Sequence, residues 1–194
     1  MLHPLVSATT QAIIFDIDGT LADTMPLHYK ASQIVCNKRG FDFPLEYFYA
    51  KAGIPTHKVF EMLMLELKLP FNGYELATEK EAEFLKLIPE VKPLNPAAEV
   101  AKACYGKIPM ALGTGGTKDI AIPIMEKIGM LSMFEIMVTP EMVEKPKPFP
   151  DTFIKAAEFM GIAPEFCLVF EDADPGLQAA KAAGMMAVDV RLFA

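Results

Sequence analysis

Much is scarce in this sequence, and each scarcity excludes something. Cys36, Cys104 and Cys167 are the only cysteines among 194 residues, and no CxxC pair occurs. An odd, scattered set argues against a disulfide framework or a thiolate metal site, so buried reduced thiols are expected. Positive charge is in deficit, with 18 Lys and Arg against 25 Asp and Glu, a net −7. A nucleic-acid binder would carry a basic face, so nucleic acid is not an expected partner. Arginine is almost absent, with Arg39 and Arg191 alone. No uninterrupted apolar run reaches the ~20 residues of a membrane helix, and no basic stretch followed by an apolar one opens the chain. No repeat or low-complexity tract is found. The expectation is a cytoplasmic protein with no membrane partner, a monomer or weak oligomer.

What is present suits one ordinary domain with a modest insert, since 52% of the residues are apolar. Three short apolar runs, at 12–15, 109–112 and 167–170, stop abruptly at polar or small residues. Such runs fit strands buried on both faces of a parallel sheet, and 134–138 and 187–190 are two further candidates. Helical patterns at 117–128, 151–160 and 175–183 each close on a glycine. Pro123 predicts a kink or shortening in the first of these. Alternating strands and helices imply an α/β fold, a Rossmann-like parallel sheet wound by right-handed crossovers. Residues 23–93 read differently, with helices at 25–39, 57–69 and 75–88 and no strong strand. The expected division is an α/β core of 1–22 and 94–194 with a helical cap domain at 23–93.

Parallel sheets bind ligands beyond the carboxyl ends of their strands. Three strand ends here carry Asp16 and Asp18, Thr114, and Glu171 and Asp172. If those strands are neighbours, the groups share one crevice. Asp16 and Asp18 are two apart, which points both to one side of an extended chain. Gly19 and Thr20 then permit a tight turn that leaves the pair uncovered. Carboxylates this close repel unless a cation sits among them, and a hard divalent ion such as Mg²⁺ suits oxygen ligands and a substrate phosphate.

These residues carry a resemblance. The run Phe15-Asp-Ile-Asp-Gly-Thr-Leu-Ala-Asp-Thr24 resembles the first motif of the haloacid-dehalogenase-like superfamily. Leu112-Gly-Thr114 resembles the second, Lys147-Pro-Phe-Pro-Asp151 the third, and Val169-Phe-Glu-Asp-Ala-Asp-Pro-Gly176 the fourth. All four occur in order over nearly the whole chain. The β-phosphoglucomutase-like branch, with its helical cap and its small fructose-1-phosphate phosphatase members, is the nearest in pattern, and His28 in Asp23-Thr-x-x-x-His fits it.

The resemblance implies a Mg²⁺-dependent phosphatase acting on a small phosphorylated substrate, a sugar phosphate. Asp16 would be the nucleophile that becomes an aspartyl-phosphate. Asp18 would be general acid and then general base, with its backbone carbonyl on the ion. Thr114 would hold a phosphoryl oxygen, and Lys147 would neutralise phosphoryl charge and keep Asp16 ionised. Asp16, Asp172 and Glu171 would serve the metal. Gly115, beside Thr114, and His28, Thr56 and Lys80 in the cap are the substrate-binding candidates, with Lys58 a weaker one and Gly53-Ile-Pro-Thr56 the gating loop. A cap that closes would exclude water from Asp16. Lys145 reads as solvated, and Asp174 as a turn or helix-start residue.

One departure bears on the activity. The mutases of that branch grip a second phosphate with a cap-loop arginine, and no arginine stands near Gly53. Without that bidentate clamp, plain hydrolysis is favoured over phosphosugar transfer. The mutase is the alternative, and a non-catalytic phosphometabolite-binding protein is the alternative of another class. Asp18 argues against dehalogenation, which needs no acid at that place.

Overall fold

A computed structural model of the chain describes residues 3–52 and 54–193. Five parallel strands form one sheet: β1 (Ala12–Phe15), β2 (Met110–Gly113), β3 (Ile136–Val138), β4 (Cys167–Glu171) and β5 (Met186–Asp189). Their order is β3-β2-β1-β4-β5, with β1 at the centre. Eight α-helices occur among the described residues. They are α1 (Met25–Asn37), α2 (Leu45–Ala50), α3 (Thr56–Leu67), α4 (Gly73–Leu87), α5 (Ala97–Cys104), α6 (Lys118–Lys127), α7 (Asp151–Met160) and α8 (Asp174–Ala182). This is a Rossmann-like core with an inserted helical cap. The chain divides into two compact units, one of residues 1–23 with 92–194 and one of 24–91.

The sheet unit explains the unbroken apolar spelling of its strands. Side chains alternate along β1, so each face of the strand must find a partner layer. Ala12 and Ile14 join Ala111, Val138 and Val169 against Phe153 and Ala156 of α7 and Ala179 and Ala180 of α8. On the opposite face Phe15 stacks on Phe170 at 5.1 Å between ring centroids and meets the edge of Phe134 at 5.8 Å. Burying an aliphatic or aromatic side chain completely stabilises by roughly 1.5–3 kcal/mol, so all-buried β1, β2 and β4 anchor the unit. Among the described residues no helix is long and apolar enough to cross a membrane.

The helical unit has its own core of Val35, Cys36, Phe43, Val59, Phe60, Leu63, Met64 and Leu76. Asn72 starts α4, its Oδ1 accepting the N–H of Tyr74 at 2.8 Å and of Glu75 at 3.3 Å. Gly73 permits the close approach of α4 to α3, since a Cβ there would lie 2.6–2.9 Å from Glu61 and the His57 carbonyl.

Several local expectations are corrected. The strand expected at 134–138 begins at Ile136, because 131–133 form a 3₁₀ turn. The strand expected at 187–190 spans 186–189. Helices expected at 25–39, 57–69 and 75–88 span 25–37, 56–67 and 73–87. The helix expected at 117–128 loses one residue at each end but runs through Pro123, giving up one backbone bond. Two helices went unread. α2 has only six residues and buries none of them, so it leaves no periodic stripe. α5 follows the proline-rich 89–96 segment, yet its buried Ala97, Ala98, Val100, Ala101 and Cys104 carry a helical period that was there to find. All three cysteines are buried and free.

Candidate active site

The register of the sheet builds the site. Phe15 of β1 pairs with Leu112 of β2 on one side and with Phe170 of β4 on the other. The three strands therefore end level, and the next residues are Asp16, Gly113-Thr114 and Glu171-Asp172. The Asp16 N–H donates to the Phe170 carbonyl at 3.0 Å, and the Thr114 N–H to Val138 at 3.0 Å, so the backbone at these tips is held by neighbouring strands. After Asp16 the chain turns sharply. The N–H groups of Thr20, Leu21 and Ala22 converge on the Ile17 carbonyl, with Gly19 at φ +76°. That is the turn expected at Gly19 and Thr20, and it leaves Asp18 half-buried beside the strand end.

Lys147 is the hub. Its Nζ donates to Asp16 Oδ1 at 2.7 Å and to Glu171 Oε1 at 2.6 Å, and lies 4.9 Å from the centre of the Phe153 ring. Glu171 Oε2 accepts the Ala173 N–H at 2.7 Å. Thr20 Oγ1 donates to Asp172 Oδ1 at 3.4 Å. Thr114 is buried, and its Oγ1 accepts the Gly116 N–H at 2.9 Å, curling the loop after β2. A Cβ on Gly116 would lie 3.4 Å from that Oγ1 and 3.5 Å from Asp18 Oδ2, so the loop passes beside the Asp18 carboxylate. Gly115 is exposed in the same loop. Lys145 is exposed and lies over Phe149 instead. Asp174 opens α8 and pairs with Arg191 at 2.7 Å.

The electrostatics are unbalanced. Among the described residues, the carboxyl groups of Asp16, Asp18, Glu171 and Asp172 gather about the Lys147 ammonium. Burial pushes the Asp16 carboxyl well up; Lys147 opposes this, while Glu171, Asp172 and Asp18 add to it. Burial also pushes Asp172 up to about 7, helped by Glu171 and Asp18. For Lys147, burial works against the ammonium, but Asp16 and Glu171 more than offset it and raise its pKa. Asp16, Glu171 and Asp172 each offer an oxygen within 4.8 Å of the other two. An all-oxygen set with surplus negative charge fits a hard divalent cation. The Asp18 carboxylate is not one of these three.

The cap candidates gather within the helical unit. Lys80 is 4% exposed, and its Nζ donates to His28 Nδ1 at 2.7 Å and to Glu81 Oε1 at 2.9 Å. An ammonium only donates, so His28 accepts at Nδ1. The His28 ring stacks on Phe84 at 3.7 Å, and Thr56 Oγ1 donates to Glu81 Oε1 at 3.4 Å. Glu81, which ties Lys80 to Thr56, was missed; its adjacency to Lys80 in a charged helix face hid it. Lys58 is exposed. Gly53 of the gating loop lies outside the described residues. The sequence marks Thr20 only as a turn residue, whereas packing directs its buried hydroxyl toward Asp172.

A parallel sheet with acidic strand ends, interrupted by a helical insert, defines the class of a Rossmann-like fold with an inserted cap. Residues 13–190 match the family model described as haloacid dehalogenase-like hydrolase. The chain is 41% identical to fructose-1-phosphate phosphatase YqaB of Escherichia coli (strain K12), over 93% of this chain and 96% of that one. It is 30% identical to the phosphorylated carbohydrates phosphatase of Thermotoga maritima, over 90% and 82% respectively. A β-phosphoglucomutase crystal structure from Clostridium difficile shares the fold, with a TM-score of 0.79 and 24% identity over 92% of this chain and 83% of that one. The chain belongs to the haloacid dehalogenase-like hydrolases, and it is an enzyme.

Proposed function

We propose that this enzyme is a Mg²⁺-dependent phosphatase that hydrolyses a sugar phosphate through an aspartyl-phosphate on Asp16. The observation that carries the reading is the buried Asp16 carboxylate, ion-paired to Lys147 and level with Thr114, Glu171 and Asp172 at adjacent strand ends. The names of the Escherichia coli and Thermotoga maritima relatives, both carbohydrate-phosphate phosphatases, support the substrate class. Supporting a cytoplasmic setting without a nucleic-acid partner are the three free, buried cysteines and the net charge of −7.

In the first step Asp16 Oδ attacks phosphorus and the P–O bond to the sugar breaks. Asp18 donates its proton to the departing sugar oxygen, which leaves as a neutral hydroxyl. In the second step water attacks the phosphorus of aspartyl-phosphate while Asp18 takes the water's proton, freeing Asp16 and phosphate. Lys147 favours the ionised form of Asp16 that the attack needs, against burial and the neighbouring carboxylates, and its charge offsets that of the phosphoryl oxygens. Thr114 donates its hydroxyl to one of them. Asp16, Glu171, Asp172 and the Asp18 backbone carbonyl would hold Mg²⁺, which when bound supplies charge neutralisation at the phosphoryl group. In the cap, His28, Lys80 and Thr56 bind substrate hydroxyls, with Glu81 ordering Lys80 and Thr56.

Both arginines are committed to ion pairs, Arg39 with Glu79 and Arg191 with Asp174 and Asp189. Neither serves as a second phosphate clamp, which favours hydrolysis over mutase chemistry. The deciding experiment is phosphate release across a panel of phosphosugars with Mg²⁺. Free phosphate from a ketose or aldose 1-phosphate is expected. Conversion of a hexose 1-phosphate to the 6-phosphate without phosphate release would mark the mutase, and binding without turnover would mark a sensor.

A further inference from the structure

We propose that Gly176 is a positioning residue: its missing side chain is the space in which the Glu171 carboxylate sits and from which Glu171 aims Lys147 at Asp16. Gly176 is the third residue of α8, inside a regular helix. Its φ is not in the left-handed region, so backbone freedom gives no reason for glycine there, and alanine is the better helix former. Space gives the reason. A Cβ on Gly176 would lie 1.7 Å from Glu171 Oε1, 2.0 Å from Cδ and 2.7 Å from Cγ.

No ordinary side chain at 176 is compatible with Glu171 where it stands, and Glu171 has strong ties to that place. It is 2% exposed. Its Oε1 accepts from Lys147 Nζ at 2.6 Å, and its Oε2 accepts from the Ala173 N–H at 2.7 Å. A methyl at 176 therefore displaces the carboxylate rather than the helix, and displacement breaks both bonds. Lys147 then keeps its ion pair with Asp16 and loses the second point that fixes its Nζ. A charged group held at two points keeps the narrow geometry that phosphoryl transfer requires; held at one, it does not.

This inference rests on the proposed role of Lys147, so its test has a readout that does not depend on turnover. Gly176→Ala, Glu171→Ala and the double variant are melted beside the wild type, in EDTA. With Glu171 present, Gly176→Ala is expected to lower the melting temperature or prevent folding. In the Glu171→Ala background the same change is expected to be neutral or to raise the melting temperature by about 2–4 °C, because the clash is gone and helix propensity remains. Equal effects in the two backgrounds, or a double variant that fails to fold, would overturn the proposal. With p-nitrophenyl phosphate and Mg²⁺, Gly176→Ala is expected to lower kcat by about ten-fold or more with KM within about three-fold. A reversal in melting without a turnover effect would keep the seating of Glu171 and refute its aim at Asp16. A wild type that turns over no phosphate ester would count against the phosphatase reading alone and leave the melting test intact.

Discussion

Two polar clusters in this enzyme are built by opposite means. In the sheet unit, groups more than a hundred residues apart in sequence meet because adjacent strands end in register, as Asp16 with Glu171 and Asp172. In the helical unit, Lys80, Glu81 and Phe84 come from one helix, with His28 and Thr56 supplied by two others. The charge differs as well. Among the described residues, the strand-end cluster gathers four carboxyl groups about the Lys147 ammonium, whereas the cap cluster sets Lys80 beside Glu81 with neutral partners. An excess of buried negative charge costs stability unless a cation answers it, whereas a balanced pair with hydrogen-bonding neighbours does not need one. In the function proposed above, the first cluster performs the charged chemistry and the second recognises neutral hydroxyls.

That contrast can be broken at several points. The largest effect is expected from Asp16→Asn, which removes the proposed nucleophile. Phosphate release should fall on the order of 10⁴-fold or more, with circular dichroism and melting close to wild type. Next is Lys147→Ala, which leaves Asp16 and Glu171 without their shared cation. Turnover should fall by about 10²–10³-fold. Metal-free stability in urea should drop by about 3 kcal/mol, since breaking a buried ion pair strands its partners. A Lys147→Ala protein with wild-type urea stability would deny that the ion pairs hold the strand ends.

The cap should respond differently. Lys80→Met is expected to raise KM about 10–100-fold with a much smaller change in kcat, because it removes a charge-assisted contact rather than a reacting group. A variant that lost kcat alone would erase the distinction between the two clusters. The smallest effect concerns pH. Asp172 is pushed up to about 7 from its ordinary 3.8, so the metal-free folded protein keeps a proton that the unfolded chain gives up. Its contribution to stability is therefore full below about pH 4 and is lost as pH rises to about 7. Mg²⁺ competes with that proton, and its affinity should rise by about ten-fold from pH 6 to pH 8 in a calorimetric titration. A pH-independent affinity would remove Asp172 from the ligand set.

Much of the sheet unit was legible because its inner strands β1, β2 and β4 are buried on both faces and cannot tolerate polar spelling. Runs such as Ala12–Phe15 stop where burial stops, and the acids begin there. The short helices were harder. α2 buries no residue and so has no apolar stripe to read, while Pro123 predicts a kink or shortening and lies inside a ten-residue helix. Lys147 was separable from Lys145 by its motif register, but its bridge from Asp16 to Glu171 was not, because ion pairing across such separations depends on how the loop after β3 returns to the strand ends. Glu81 and Thr20 were passed over for a related reason. A carboxylate on a charged helix face and a hydroxyl in a turn look solvated until packing selects them.

The sequence alone determined which residue types stand at the strand ends and in the 147–151 loop, and hence that acids, a threonine and a lysine are available for phosphate chemistry. It did so because side-chain identity and the two-residue period of a strand are local properties. Only the tertiary structure decided that β1 lies between β2 and β4 with their ends level, and that the carboxylate of Glu171 fills the space left by Gly176. Strand order and atomic contact arise from chain closure and packing over long separations, which no local stretch of residues encodes by itself.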